Sequence, residues 1–339
     1  MKVHFLQPPP EQRAGGLDAA IAAMCAALQR TGVTVLGDEP EAGAGSVVHF
    51  HGLWQPGHAL LSRRCAEEGI PAVVSPHGML EAWAWRHKRW KKFPYFHLVE
   101  KHHLRRARAL LATAPAEAAR IRDLLPHTRV EVLPLGLTGD ARPDYERARA
   151  ERRWRPEERV LLFLSRIHVK KGLELLLGAL AQGPARPNTR LVVVGGGEAG
   201  YLGQLRALAR EHHARLPIID WVGEVWGSER WSYFQGADLF CLPSYSENFG
   251  LAVLEALQVG TPALTTTTTP WALALGEGRG YIAEPTVTSV KRQLDRFFAA
   301  PVWSPARRAQ LADWAWARYH WDALAASYVE LYRSVAEPA

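Results

Sequence analysis

Short apolar runs of strand length alternate with longer helix-patterned stretches along nearly the whole chain, and this alternation leaves few architectures open. Strand-like runs at 2–7, 33–36, 47–51, 71–75, 109–113 and 129–134 are separated by helix-like stretches such as 17–30 and 57–68. A polar, strongly charged interval, 140–158, then breaks the rhythm. The alternation resumes at 160–165, with further runs at 191–195, 218–222, 239–242 and 262–265. Alternating strand and helix is the pattern of α/β proteins, in which helices cover both faces of a parallel sheet. It predicts two Rossmann-like, doubly wound parallel-sheet domains, one over 1–140 and one over 159–313, joined by a linker over 141–158. In such sheets ligands bind beyond the carboxyl ends of the strands, so the expected site is the cleft that the two domains face.

Length agrees with two domains: 339 residues is about twice a typical domain. Hydrophobic residues make up 47% of the chain, enough for two cores. The three cysteines, Cys25, Cys65 and Cys241, are odd in number and widely spaced, which excludes a disulfide framework or a zinc site built on them and fits a reducing compartment. The N-terminal residues pass straight into a strand-like run, and no apolar run approaches the ~20 residues that span a bilayer. A cytoplasmic protein, peripheral on the inner membrane face, is the expectation.

Most of the functional information lies in Pro243-Ser-Tyr-Ser-Glu-Asn-Phe-Gly-Leu-Ala-Val-Leu-Glu-Ala-Leu257, which sets Glu247 and Glu255 eight residues apart across a loop-to-helix junction. Residues 239–242 read as a buried strand, 244–250 as a polar turn and 251–259 as an apolar helix that follows Gly250. Glu247 then sits beside the helix N-terminus and Glu255 one turn inside it. The free backbone N–H groups of residues 248–252 suit an anion, and carboxylates on either side accept from hydroxyls. Phosphate plus polyol is the chemistry of a nucleotide sugar.

Other strand ends carry residues suited to the same cleft. Gly15-Gly16 precedes a helix, where backbone N–H groups can approach a phosphate, though two such glycines are equally often a plain turn. His51-Gly-Leu-Trp54 follows the third strand and His77-Gly the fourth. For either histidine alone, core packing is an equal explanation. Arg166 leaves a strand end and Lys171 stands just before a helix, so that both cations can converge on a pyrophosphate, the arginine as a fork and the lysine as a point charge. The glycine turn 195–197 is not read as a dinucleotide fingerprint, because it lies outside a first βαβ unit and only Asp220 stands where the acidic partner belongs.

Charge is concentrated. Between Trp85 and Arg108 there are nine Lys or Arg (86, 88, 89, 91, 92, 101, 105, 106, 108) against Glu100, a net of +8 in a chain whose total is +7. Trp83, Trp85, Trp90, Phe93, Tyr95 and Phe96 are interleaved with these cations. That composition suits an anionic lipid or glycolipid surface, and equally a solvated helix face whose aromatics belong to the core. Nucleic acid is not expected as a partner, since no recognised motif for it accompanies the segment.

Together Ser165-Arg166, Lys170-Lys171-Gly172, Val192-Val-Val-Gly-Gly-Gly197, Trp221-Val-Gly223 and the Glu247/Glu255 stretch resemble the C-terminal half of the retaining GT-B glycosyltransferases of family GT4, over about 160–285. Gly15-Gly16, His51-Gly-Leu-Trp54 and Ser75-Pro-His-Gly-Met-Leu80 resemble a GT4 subgroup of bacterial lipopolysaccharide and exopolysaccharide enzymes. Residues 314–335 resemble the terminal helix that packs back on the N-terminal domain. The resemblance implies that Arg166 and Lys171 hold the donor diphosphate with the N–H groups of Leu251 and Ala252, and that Glu255 binds the ribose. Glu247, with the backbone of Asn248, Phe249 and Gly250, would hold the transferred sugar and steady its oxocarbenium ion. Gly15, Gly16 and Gly223 fall at donor-side positions, His77 beside the transferred sugar, and His51, Trp54 and His77 on the acceptor side. Asn248 departs from the glycine often found there in the family.

The implied activity is a metal-independent, hexosyltransferase-type transfer, with no cofactor, from a nucleotide-sugar donor to a lipid-linked or polysaccharide acceptor. The absence of an Asp-x-Asp sequence agrees with fixed cations in place of a metal. A soluble enzyme that glycosylates a small molecule is the alternative, and a noncatalytic nucleotide-sugar-binding protein the alternative of another class.

Overall fold

The computed structural model describes residues 1–9, 15–37, 46–86 and 89–337, which form two compact units. The first unit comprises Met1–Thr138 and Arg318–Ala339, and the second Gly139–Ala317. In the first, the chain runs β1 (Lys2–Leu6), α1 (Gly15–Arg30), β2 (Thr34–Leu36), β3 (Ser46–His51), α2 (Pro56–Glu67) and β4 (Ala72–Ser75). It continues through α3 (Ala82–Arg86), α4 (Arg89–Tyr95), a π-helical turn (Phe96–Glu100), α5 (Lys101–Arg106), β5 (Ala109–Ala112), α6 (Pro115–Leu124) and β6 (Val130–Val132). Pro56 and Pro115 open their helices, where the missing N–H costs nothing.

The six strands pair in the order β2-β1-β3-β4-β5-β6, and all are parallel. Because successive strand residues face opposite sides, the two faces carry separate cores. Val47, Val73 and Leu111 pack with Met24 of α1 and with Tyr328 and Tyr332 near the C-terminus. Val48, Val74 and Leu110 pack on the other face with Leu61, Leu104 and Ile121. Burial on both sides is why these strands read as unbroken apolar runs.

The second unit runs α7 (Tyr145–Arg152), β7 (Arg159–Leu164), α8 (Leu173–Ala181), β8 (Thr189–Val194), α9 (Ala199–Glu211), β9 (Ile218–Gly223), α10 (Arg230–Gly236) and β10 (Leu239–Leu242). Then follow α11 (Leu251–Gln258), β11 (Ala263–Thr266), α12 (Ala272–Gly276), β12 (Gly280–Ala283), α13 (Val287–Ala299) and α14 (Pro305–Tyr319), whose last two residues fall in the first unit. Its six parallel strands are ordered β12-β11-β10-β7-β8-β9. The last helix, α15 (Trp321–Ala336), belongs to the first unit.

Strand order reverses between β1 and β3 in one sheet and between β7 and β10 in the other. Connections leave such a point on opposite faces and open a crevice at the carboxyl ends. His51 ends β3, Arg166 follows β7, and Glu247 follows β10, so the candidate residues gather at both switch points.

Three features differ from the sequence expectation. Residues 141–158, expected as a linker, belong to the second unit, with α7 packed on α10. The cause is a pair of charge contacts: Arg149 lies 3.2 Å from buried Asp238, and buried Glu158 meets Arg190 at 3.0 Å. The expected single helix over 314–335 is broken at His320, whose ring accepts from Asp322 N–H and caps α15. Strand β12 has no counterpart among the predicted runs, because it is only four residues long and only half buried.

Candidate functional site

In the second unit the site grows from the ends of β7 and β10. Gly172 is left-handed (φ +68), and a Cβ there would collide with the carbonyl oxygen of Pro243, so only glycine lets the 169–172 turn close on the end of β10. Tyr245 N–H donates to Lys170 O at 2.8 Å and fastens the two loops. Lys171 Nζ consequently lies 2.7 Å from Glu247 Oε1, which also accepts from Ser244 Oγ at 2.7 Å. Thr268 Oγ1 donates to Ser244 O at 3.0 Å and ties this turn to the end of β11.

The turn enters α11 through Gly250, again left-handed at φ +79. Phe249 is buried against Trp271, their ring centroids 5.4 Å apart, and Trp271 Nε1–H donates to Phe249 O at 2.5 Å. The side chain of Phe249 is therefore packing, and only its backbone and that of Asn248 and Gly250 are candidates for a ligand. Leu251 and Ala252 form the first turn of α11, where backbone N–H groups have no intrahelical acceptor. Glu255, buried inside α11, meets Arg230 Nη2 at 3.1 Å. Arg230 is oriented by a bond from Nη1 to Gly227 O at 2.9 Å.

Arg166 is exposed at the end of β7 and has no hydrogen-bond or ion-pair partner among the described residues. Its loop is held by the 195–197 glycine turn. A Cβ at Gly195 or Gly197 would strike Ser165 O or Ile167 O, and Ile167 N–H donates to Gly196 O at 2.6 Å. Gly223, left-handed at φ +88, supports that turn through its carbonyl, which accepts from Gly195 N–H at 2.7 Å. The 195–197 glycines thus serve close packing, Gly223 serves the turn through its backbone, and Lys171 and Glu247 are brought together while Glu255 pairs with Arg230.

In the first unit, β3 and β4 end side by side. His51 Nδ1 and His77 Nε2 are 2.9 Å apart, their rings stacked at 5.2 Å. His49 packs on His51 with ring centroids 4.0 Å apart and bridges Ser75 Oγ at 2.7 Å and Tyr332 OH at 2.8 Å. Burial holds all three rings neutral: His49 falls to about 3, His77 to about 4, and His51 well below its ordinary value, the last pushed further by His49 and His77. Trp54, three residues past the end of β3, has Lys92 Nζ 5.5 Å above its ring, so the basic segment borders this loop. Gly15 and Gly16 open α1, while the turn ahead of them, residues 10–14, and His87 and Lys88 of the basic segment lie outside the described residues.

Sequence reasoning missed Arg230, Ser244, His49, Glu100 and Glu117. Glu100 accepts from Trp54 N–H at 2.9 Å and Glu117 from Gly78 N–H at 2.6 Å. Arg230 stands 25 residues before Glu255 with no motif around it. Ser244 lies inside the Pro243–Leu257 stretch. Glu100 was visible as the single acid among nine cations, and Glu117 as an acidic residue in a first helical turn opened by proline.

Comparison with known proteins points to glycosyltransferases. The family model described as glycosyl transferases group 1 matches residues 144–313, and that of glycosyltransferase family 4 matches 45–138. A D-inositol 3-phosphate glycosyltransferase from Streptosporangium roseum is 31% identical over 241 residues, 66% of this chain and 54% of that protein. One from Segniliparus rotundus is 36% identical over 143 residues, 40% of this chain and 31% of that protein. The chain thus spans about a third to a half of the length of these curated relatives. Among solved structures, sucrose-phosphate synthase from Thermosynechococcus elongatus superposes with a TM-score of 0.78 at 19% identity, covering 99% of both chains. Anabaena HepE in complex with UDP and glucose gives 0.74 at 15%, covering 98% of this chain and all of that one. WaaG, a glycosyltransferase involved in lipopolysaccharide biosynthesis, gives 0.63 at 17%, covering 97% and 99%. At such identities these likenesses speak for the fold alone, which is GT-B. With half its length matched by one family model and residues 45–138 of the first unit by another, the chain belongs to the group 1, family 4 glycosyltransferases.

Proposed function

We propose that the protein transfers a sugar from a nucleoside diphosphate to a small polar acceptor, with retention of anomeric configuration and without a metal. The observation that carries this reading is the Lys171–Glu247–Ser244 cluster at the switch point of the second sheet. The small acceptor is supported by the relatives named as D-inositol 3-phosphate glycosyltransferases, and the nucleotide-sugar donor by the HepE complex with UDP and glucose. In the reaction the bond from sugar C1 to the diphosphate oxygen breaks and one from C1 to the acceptor oxygen forms on the same face. The acceptor proton passes to the departing phosphate oxygen. Arg166, Lys171 and the first N–H groups of α11 stabilise the charge left on the diphosphate, which is the term that most lowers such barriers. Glu247 faces the sugar and its developing positive charge, and Glu255 binds the ribose.

A second reading, a lipid-linked or polysaccharide acceptor met at a membrane surface, is favoured by the exposed Trp90, Phe93 and Leu98 among the cations of the basic segment. No helix among the described residues is long and apolar enough to cross a membrane.

A panel of nucleotide sugars screened by thermal shift comes first, since a donor at ~100 times its dissociation constant adds ~2.7 kcal/mol of stability. Nucleoside diphosphate release is then measured with D-inositol 3-phosphate as the probe acceptor, and the product anomer read by NMR. Binding without release, with every acceptor offered, would make the chain a nucleotide-sugar-binding protein; an inverted product would remove the retaining mechanism.

A further inference from the structure

Four non-glycine residues among the described ones are left-handed: Trp54, His77, His127 and Arg153. Arg153 caps the C-terminus of α7, and exposed His127 follows the end of α6, places where such a conformation is routine. Trp54 (φ 67) and His77 (φ 50) are different: each stands in the loop that follows a buried parallel strand, β3 or β4. A bulky residue stays in that region only when its surroundings over-determine it.

Both loops have the same kind of restraint. A buried carboxylate from a helical segment later in the chain takes a backbone N–H at the strained residue or immediately after it. Trp54 N–H donates to Glu100 Oε2 at 2.9 Å. Gly78 N–H donates to Glu117 Oε1 at 2.6 Å, and the other oxygen of Glu117 accepts Thr113 N–H at 2.8 Å and Thr113 Oγ1 at 3.0 Å. Glu100 is 1% exposed and Glu117 4%. The two loops also touch each other, through Leu53 N–H and Met79 Sδ at 3.1 Å. Glu100 ends the π-helical turn, which follows directly on Pro94 and Tyr95 and shifts the chain from the register an uninterrupted α-helix would give.

We infer that Glu100 and Glu117 are positioning residues that hold Trp54 and His77 in their left-handed conformations and thereby set the acceptor side of the site. Neither carboxylate is assigned contact with substrate; each acts through the backbone of the residue it restrains. Burial raises both carboxyls, Glu100 to about 7, and the N–H groups of Trp54, Gly78 and Thr113 work against that rise, so the bonds that fix the loops are also those that make the buried carboxylates tolerable. This inference rests on the proposed function only in treating Trp54 and His77 as substrate-facing.

The test uses the full chain with Glu100→Leu, Glu100→Gln and Glu117→Ala. Hydrogen exchange followed by mass spectrometry reads the loops without any substrate. Glu100→Leu should speed exchange about tenfold or more in peptides covering 52–55 alone, and Glu117→Ala in those covering 76–80 alone, because each removes the acceptor of a loop N–H. Glu100→Gln keeps an acceptor for Trp54 N–H and should restore protection. In parallel, kcat/KM for D-inositol 3-phosphate, probed with UDP-glucose as donor, should fall roughly 10–100-fold in the Leu and Ala variants while UDP affinity is unchanged. Unchanged loop exchange in both variants overturns the inference. So does uniform loosening of the whole first unit, which would make the carboxylates general core groups, or loosened loops with unaltered acceptor kinetics. A wild-type protein inactive with every donor and acceptor would instead sink the proposed function, and the exchange pattern would still decide the bracing.

Discussion

Lys171 and Glu247, 76 positions apart in sequence, form a 2.7 Å ion pair whose side chains are only 16% and 6% exposed. Taking away one member of such a pair leaves the other as an uncompensated buried charge. Lys171→Ala should therefore destabilise the protein by about 3 kcal/mol as well as slow turnover. The double variant Lys171→Ala/Glu247→Gln should recover much of the stability and none of the activity. Urea unfolding of the four proteins of this cycle checks the claim; equal stability of Lys171→Ala and wild type would show that the pair is not buried in solution.

The two glutamates of the stretch should separate kinetically. Glu255→Gln should weaken affinity for the free nucleoside diphosphate, since a ribose contact is remote from the breaking bond, and Arg230→Ala should reproduce part of that loss by releasing Glu255 from its 3.1 Å partner. Glu247→Gln should lower kcat with nucleoside diphosphate affinity nearly unchanged. Calorimetric titration of the free diphosphate discriminates them, and equal losses in Glu247→Gln and Glu255→Gln would reverse the assignment of roles.

What the sequence disclosed follows from what each element needs. The strand at 160–165 was legible because β7, Arg159–Leu164, is covered on both faces, and the turn into α11 because Gly250 alone tolerates its φ of +79. The segment 141–158 reads as a linker because its charges look solvated when taken singly. Arg149 and Glu158 are buried by partners near 238 and 190, which no local pattern encodes. The same distance in sequence hid the Lys171–Glu247 contact: each residue was identified as a site residue, yet the ion pair exists only because Gly172 lets one loop close on the other. In the sequence Glu100 is one acid in a basic run, and its burial depends on the π-helical turn that brings it to Trp54.

Acid should unfold the first unit well before it titrates ordinary carboxylates. His49, His51, His58, His77 and His103 are all held below their ordinary value of 6.5, chiefly by burial. Unfolded, they take protons near 6.5; folded, His58 and His77 do so only near 4 and His49 and His103 near 3. Their contribution is therefore complete above pH 6.5 and is lost as pH falls below it, each fully linked histidine costing about 1.4 kcal/mol per pH unit. Glu100, raised to about 7, acts in the opposite sense, favouring the folded state below about 4.5 and losing that contribution as pH rises toward 7. Neither nitrogen of His103 has a hydrogen-bond partner among the described residues, so His103→Leu should flatten the slope by one proton without loss of stability at pH 7. Denaturation midpoints between pH 5 and 8 check this, and a wild-type midpoint independent of pH over that range would refute it.

The last prediction decides between the two acceptor readings. Trp90 is 74% exposed and Leu98 75%, with Phe93 also in solvent, and Lys91 Nζ stands 4.8 Å over the Trp90 ring. Exposed Arg105 and Arg106 extend the positive face. Cations near an anionic bilayer each contribute about 1 kcal/mol, an attraction that fades as salt shortens the Debye length. If the acceptor is presented at a membrane, the protein should sediment with phosphatidylglycerol-rich vesicles at low salt and leave them at high salt. Trp90→Ser with Lys91→Glu should then weaken sedimentation, while nucleoside diphosphate release with a soluble acceptor persists, because Arg166, Lys171, Glu247 and Glu255 all belong to the second unit. Lys92 is unsuited to the same test, since its Nζ donates to Ala84 O at 2.6 Å and its reversal would disturb the fold of the segment itself. Failure of the wild-type protein to bind such vesicles even at low salt would leave the small-acceptor reading alone and make the basic segment a solvated face.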